Sequence, residues 1–126
     1  MTSNGYKAIA DSMSALGLNY GLLEYVADPI VYPYWVGSNS PRETDSEDGL
    51  SEDTFMLNGF TRSTLSELQA DSESIESYFS RNGKFITAAD GSAVIIIFSG
   101  SQMIPTGEEE LKRIQVNLII KEYGVK

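Results

Sequence analysis

The 126-residue chain contains neither cysteine nor histidine. Without thiols it has no disulfide staple, no thiolate nucleophile and no cysteine-ligated zinc site. Without imidazole, Ser-His-Asp and Cys-His machinery is excluded as well. Bases are scarce: nine Lys and Arg stand against eighteen Asp and Glu, for a net charge of −9 and an isoelectric point near 4.3. Lys112-Arg113 is the one adjacent basic pair. Phosphate neutralisation needs clustered bases, so this composition argues against a nucleic-acid-binding surface. Nowhere do 18 apolar residues run together, and no membrane span is expected. The opening Met-Thr-Ser-Asn-Gly-Tyr-Lys lacks the apolar run of a signal peptide. With the absence of cysteine, this leads to the expectation of a cytoplasmic protein. Neither G-x-G-x-x-G nor G-x-x-x-x-G-K-[ST] occurs, so no phosphate cradle is expected.

What is present suits a single domain. Hydrophobic residues make up 41% of the chain, and seven Tyr and one Trp supply large packing units. At this length a fold buries roughly two-thirds of its unfolded surface. Tyr6, Ile9, Ala10, Met13 and Leu16 recur at helical spacing, predicting a helix over 4–16 with Ser3 or Asn4 as N-cap and Gly17 at its end. Leu22 to Gly37 is aromatic and β-branched but interrupted by Pro29 and Pro33, so it reads as two short strands or an edge strand. Residues 54–61 return as a strand, with Phe55 and Leu57 on one face and Met56 and Phe60 on the other, and pair with 30–37 as a hairpin.

A second helix is predicted from the capping-box spacing Thr64-Leu65-Ser66-Glu67, with Leu65, Leu68, Ile75, Tyr78 and Phe79 as its apolar face and Gly83 as its stop. Asp71, Ser72 and Ser74 weaken its middle and predict a kink. Phe85-Ile86-Thr87 pairs locally through the turn dipeptide Asp90-Gly91. Residues 93–98 are apolar throughout, as in a strand covered on both faces. In the last strand Ile114, Val116, Leu118 and Ile120 point inward and Arg113, Gln115, Asn117 and Lys121 outward, with Ile119 the exception. The expected fold is a single α+β domain over 1–126, in the order α-β-β-α-β-β, with both helices packed on a mostly antiparallel sheet.

The charge is concentrated. Residues 43–53 hold six acids and no base: Glu43, Asp45, Glu47, Asp48, Glu52 and Asp53. The other 115 residues therefore carry only −3. With few apolar groups to pack, a loop over about 38–53 is expected to stand in solvent. Calcium is the first chemistry to test. Setting Gly49 at the sixth position of an EF-hand loop puts Thr44 first, Ser46 third and Phe55 twelfth, so the first ligand and the bidentate glutamate are both missing. Oxygen ligands without a frame leave at most an irregular divalent-cation site. Glycosidase chemistry needs two carboxylates in an enclosed cleft that separates their pKa values, and a solvated loop supplies neither condition. No catalytic residue, metal or cofactor is expected. Tyr32, Tyr34 and Trp35 offer stacking faces, but no basic groove accompanies them, so packing or a subunit interface is the better reading. Met56 and Phe60 join them as interface candidates.

Taken in order, the opening helix, the aromatic "VYPYWVGS" (31–38), the long polar loop, the returning "TFMLNGFTRS" (54–63), the helix "TLSELQADSESIESYF" (64–79) and the closing "AVIIIFSGSQMIPTGEEELKRIQVNLIIKEYG" (93–124) resemble the tail-terminator and tail-completion proteins of long-tailed phages and prophages. The resemblance spans nearly the whole chain and rests on pattern and order. The proline-broken first strand and the acidic loop depart from the commoner family pattern. The resemblance implies a non-enzymatic virion protein, assembled in the host cytoplasm, that forms a ring, commonly of six. Such a ring caps the tail tube, joins it to the head-side connector and lets DNA pass without specific binding. Its implied partners are itself, the tail tube protein and the connector, with no membrane and no small-molecule substrate. Six subunits of −9 would carry −54, which suits a channel that DNA slides through. The acidic loop is thus expected to face the lumen or a neighbouring ring. The alternative is a small protein-binding module that adds a partner's strand to an exposed sheet edge.

Overall fold

The computed structural model describes residues 1–40 and 50–124. Eight elements follow in order: α1 (Ser3–Ala15), β1 (Asn19–Leu22), β2 (Tyr34–Ser40), β3 (Leu50–Thr61), α2 (Leu65–Phe79), β4 (Lys84–Thr87), β5 (Ala93–Met103) and β6 (Lys112–Tyr123). The strands form one sheet in the order β1-β2-β3-β6-β5-β4. The pairings β2–β3, β3–β6, β6–β5 and β5–β4 are antiparallel, and β1 runs parallel to β2. The α+β reading holds in a mixed sheet. The expected order omits β1 and β4, each four residues long, although the local pairing expected of Phe85-Ile86-Thr87 is found as β4 against β5.

Both helices lie on one face of this sheet, and a single core forms between them. Ile9 and Met13 of α1 and Leu68, Ile75 and Phe79 of α2 meet Trp35, Phe55, Leu57, Val94, Ile96, Phe98 and the inward row of β6, Ile114, Val116, Leu118 and Ile120. Each fully buried aliphatic side chain in this layer contributes about 1.5–3 kcal/mol. Along β5 the side chains alternate between buried and half-buried, so Ile95 and Ile97 point away from the helices. The expectation of two covered faces there is corrected: the helices cover one.

Local chemistry sets the element ends. Gly17 stands just past α1 with φ of +72°, a conformation open to glycine, and Leu18 donates its N–H back to Met13 O at 3.0 Å. The N-cap of α1 is Thr2 rather than Ser3 or Asn4, and its side chain makes no capping bond. The buried stripe is Gly5, Ala8, Ile9, Ser12 and Met13, while the expected Ala10 is exposed. At α2, Thr64 Oγ1 accepts from the Glu67 N–H at 3.4 Å, as the capping spacing predicts. That helix stops at Phe79, capped by Ser80 with positive φ, before reaching Gly83. It runs unbroken through Asp71–Ser74, where Ser72 is buried and Ser74 Oγ donates to Ala70 O at 3.1 Å.

The proline-interrupted stretch resolves differently from its sequence reading. Residues 23–33 form no strand, and β2 starts only at Tyr34, after Pro33. Both Asp28-Pro29 and Tyr32-Pro33 are cis. β3 in turn begins at Leu50, four residues before the expected Thr54, because β6 is long enough to pair Leu50 with Tyr123, Glu52 with Lys121 and Asp53 with Ile120. β2 reaching Ser40 and β3 starting at Leu50 thus claim both ends of the loop expected over about 38–53. β4 and β5 close through the predicted Asp90-Gly91 turn, with Gly91 N–H donating to Ala88 O at 3.0 Å. A bulge falls at Ser99, between Phe98 and Gly100.

Candidate functional site

The sheet face opposite the helices carries the side chains that the core does not use. Its register sets Tyr34, Phe60 and Arg113 in one cross-strand row, Val36, Asn58 and Gln115 in a second, and Ser38, Met56 and Asn117 in a third. Ile97, Ile119 and Thr54 form a fourth row. Arg113 lies over the Phe60 ring, with its guanidinium carbon 5.7 Å from the centroid, and donates to Asn58 Oδ1 through Nη2 (2.8 Å) and Nε (3.1 Å). Gln115 Nε2 donates to Asn117 Oδ1 at 3.0 Å. The face therefore runs from an aromatic end through a polar middle to an aliphatic end.

At the aromatic end the segment 23–33 folds back on this face. Tyr25 stacks on Tyr34 with centroids 5.0 Å apart and planes within 10°, and Tyr34 stacks in turn on Phe60 at 5.3 Å. Tyr32 leans on Tyr34 at 5.5 Å, and its hydroxyl accepts from Arg62 Nε at 3.2 Å. The aromatic residues of the segment are thus turned onto the sheet. Its aliphatic residues are left outside, with Leu23 74% and Val26 80% exposed and Ile30 and Val31 also exposed. Burial raises the Tyr34 pKa, with Tyr32 adding to it and Arg62 opposing.

On the core face two carboxylates are held by the first residues of the chain. The Met1 ammonium forms an ion pair with Asp53 Oδ2 at 2.6 Å, without hydrogen-bond alignment. The Thr2 N–H donates to Glu122 Oε2 at 2.9 Å and the Thr2 hydroxyl to Oε1 at 2.7 Å. This engagement explains why the Thr2 side chain caps no helix N–H, although its carbonyl accepts from Gly5 N–H at 3.1 Å. It ties the start of α1 to β3 and β6, and both carboxylates are buried.

The sequence candidates are distributed unevenly over this geometry. Glu43, Asp45, Glu47 and Asp48 lie outside the described residues. Glu52 is half-buried on β3, on the face away from the helices and opposite Lys121. Asp53, read as part of a solvated loop, is instead only 4% exposed, because strand alternation turns it inward to the Met1 ammonium. Trp35 is likewise removed from the surface candidates: its side chain is fully buried in the core, and its indole Nε1 donates to Asp71 Oδ2 at 3.4 Å. Tyr32, Tyr34, Met56 and Phe60 share the face opposite the helices, half-buried. Sequence reasoning missed the clamp of Glu122 and Asp53 on the chain start. The inward phase of Glu122 in the β6 alternation was its available signal.

Among the described residues no three acidic side chains converge as a metal site. Asp71 has a raised pKa, chiefly through burial, opposed by the indole hydrogen bond and reinforced by Glu67. It serves Trp35. A groove of about 460 Å³ beside the β5–β6 connection is lined by Leu65, Ile104, Pro105 and Leu111 among others, and its acids Glu108 and Glu109 are exposed. Neither place assembles the paired carboxylates of acid–base catalysis. No described helix is long and apolar enough to cross a membrane.

No family model matches the chain, and no curated protein matches its sequence. Among solved structures, the fold is similar to that of a chain from the "Virion of native gene transfer agent (GTA) particle", with a TM-score of 0.64 and 11% sequence identity. The match covers 94% of this chain and 88% of that one. At this identity the likeness is one of fold.

Proposed function

We propose that this chain is a structural, non-enzymatic component of a phage-type virion. Within that role we assign it to the tail end of the neck, as a ring-forming terminator that caps the tail tube and meets the head-side connector. The observation that carries the reading is the shared fold, over 94% of this chain, with a chain of a gene transfer agent virion. It agrees in direction with the sequence resemblance to tail terminators. The surfaces support it: a sheet face left uncovered by the helices and a preformed apolar segment suit an assembly subunit better than an enzyme.

The acidic tract has a place in this reading. Asp53 is engaged with Met1, so the lumen or ring-facing role falls to Glu43, Asp45, Glu47, Asp48 and Glu52. A high density of negative charge in a channel keeps DNA from sticking while it passes. In this assignment the partners are further copies of the chain, the tail tube and the connector, and DNA is a passenger.

Deleting the gene in the phage or prophage that encodes the chain tests the proposal by electron microscopy and by protein analysis of purified particles. The expected result is unjoined heads and tails, with the protein present in wild-type particles at a ring-like stoichiometry. Intact particles after deletion, or particles that never contain the chain, overturn it. Replacing the five acids with Asn and Gln in the complemented phage is expected to leave the fold intact while lowering infectivity.

A further inference from the structure

The two edges of the sheet carry complementary chemistry. We infer that this chain self-associates head to tail, with the β1-side segment 23–33 of one copy seated on the β4 edge of the next; this rests on the ring reading above. β1 and β4 are the terminal strands at opposite ends of one sheet, so a contact joining them uses two different patches and leaves each copy with one of each free. That is the heterologous geometry from which rings are built.

At the β1 end, residues 19–33 contain two acids, Glu24 and Asp28, and no base. Neither acid has a salt-bridge partner among the described residues. They are interspersed in sequence among the exposed aliphatic residues Leu23, Val26, Ile30 and Val31. At the β4 end, residues 80–89 contain two bases, Arg81 and Lys84, and no acid, in a chain with only nine bases. Phe85 follows Lys84 along β4 at 64% exposure and lies on the sheet face away from the helices, whereas Lys84 turns toward α2. Lys84 Nζ lies 3.7 Å from the Tyr78 ring centroid. Arg81 meets Glu76 at 3.6 Å in an exposed pair, an interaction weak enough to exchange for an intermolecular one.

Counted over the edge segments' own residues, each edge thus pairs apolar area with one sign of charge, and the signs are opposite; Arg62 at the Tyr32 hydroxyl and Glu76 beside Arg81 are contributed by neighbouring elements. An isologous contact would set like charges against each other at either edge, so complementarity selects head-to-tail order. The segment 23–33 is also preorganised. Tyr25 and Tyr32 pack onto Tyr34, and Arg62 holds the Tyr32 hydroxyl. Ordering cost is therefore met within the subunit before a partner arrives.

The absence of cysteine makes the test direct, since every thiol is then an engineered one. Equimolar Val26→Cys and Phe85→Cys proteins, each folded by circular dichroism, are mixed at high concentration under mild oxidant, and the disulfide-linked dimers are counted by mass spectrometry. The 26–85 dimer is expected in roughly tenfold or greater excess over the homodimers, because a seated contact raises local thiol concentration to the millimolar range or above. Adding Glu24→Lys and Asp28→Lys to the first protein, or Arg81→Glu and Lys84→Glu to the second, is expected to lower that yield severalfold, and using both together to restore it. Yields at the random ratio, homodimers in excess, or indifference to charge reversal overturn the inference. Cross-linking in this pattern by a protein missing from particles would remove the virion role and leave the interface standing. Presence in particles without the pattern would do the reverse.

Discussion

Gly59 stands directly across the β2–β3 ladder from Trp35, and a methyl group at that glycine would meet three indole carbons at 2.7 Å. The lone Trp of the chain lies flat over a backbone that has no side chain to displace it, between the sheet and α2, where Asp71 accepts from its indole nitrogen. Trp35 therefore reports on the joint between β2, β3 and α2 rather than on an assembly surface.

Gly59→Ala is expected to destabilise the domain by about 1–3 kcal/mol, the cost of forcing volume into a packed core. Gly100→Ala, where an added methyl meets nothing within 4 Å, serves as the control and is expected to stay within about 0.5 kcal/mol. Urea denaturation followed by the fluorescence of Trp35 measures both. Equal midpoints for the two variants would contradict the packing.

Asp53 and Glu52 are neighbours in one acidic tract, yet strand alternation separates their roles. Asp53→Asn leaves the Met1 ammonium buried without its counter-ion and is expected to cost about 3–5 kcal/mol, as for other broken buried pairs. Glu52→Gln, on the opposite face, is expected to change stability by less than about 1 kcal/mol. Chemical denaturation of the two purified variants in the same buffer decides the matter. A Glu52 effect as large as that of Asp53 would mean that the tract acts as one unit.

The same pair shows where sequence reasoning reached its limit. Periodicity located both helices and placed Ile114, Val116, Leu118 and Ile120 inward and Ile119 outward, because a long strand repeats its signal many times. The faces of Phe55, Leu57, Met56 and Phe60 were legible for the same reason. Composition failed where a strand carries polar residues. Leu50–Asp53 belongs to β3 because β6 offers it backbone partners and the chain start offers Asp53 an ammonium, and neither contact is local. Trp35 misled in the opposite direction, since an aromatic beside two Tyr looks like an interface residue until Gly59 opens a core slot beneath it. The charge contrast between 19–33 and 80–89 was readable as letters. Only the sheet order turned those segments into opposite edges.

Asp71 and Tyr20 give the stability a shared dependence on pH. Burial raises the pKa of Asp71 above the ordinary aspartate value and pushes that of Tyr20 up to about 12, with Tyr6 adding to the latter. Each native group holds its proton where the unfolded chain has released it, so each lowers stability as pH rises through its own window. For Asp71 that window begins near the ordinary aspartate pKa, and for Tyr20 it runs from about 10 to about 12. Asp71→Asn keeps an acceptor for Trp35, and its stability relative to that of the parent is expected to rise as pH climbs through and above the ordinary aspartate pKa. Tyr20→Phe is expected to show the same sign of difference at the alkaline end. A difference that shrinks with rising pH would reverse the assignment.

Tyr25 tests whether the segment 23–33 is held as a unit by its aromatic stack. Its ring contacts Tyr34 in near-parallel stacking, an interaction of about 0.5–1.5 kcal/mol beyond area burial. It lies outside every strand and outside the core layer, so Tyr25→Ala is expected to loosen the segment without unfolding the domain. Limited proteolysis under native conditions should cut within 23–33 several times faster than in the parent, while the unfolding free energy from urea denaturation changes by no more than about 1 kcal/mol. The same variant should lower the yield of the 26–85 cross-link, because a loosened segment must be ordered again before it seats on a partner's edge. Faster cutting with an unchanged cross-link yield would separate the order of the segment from its docking.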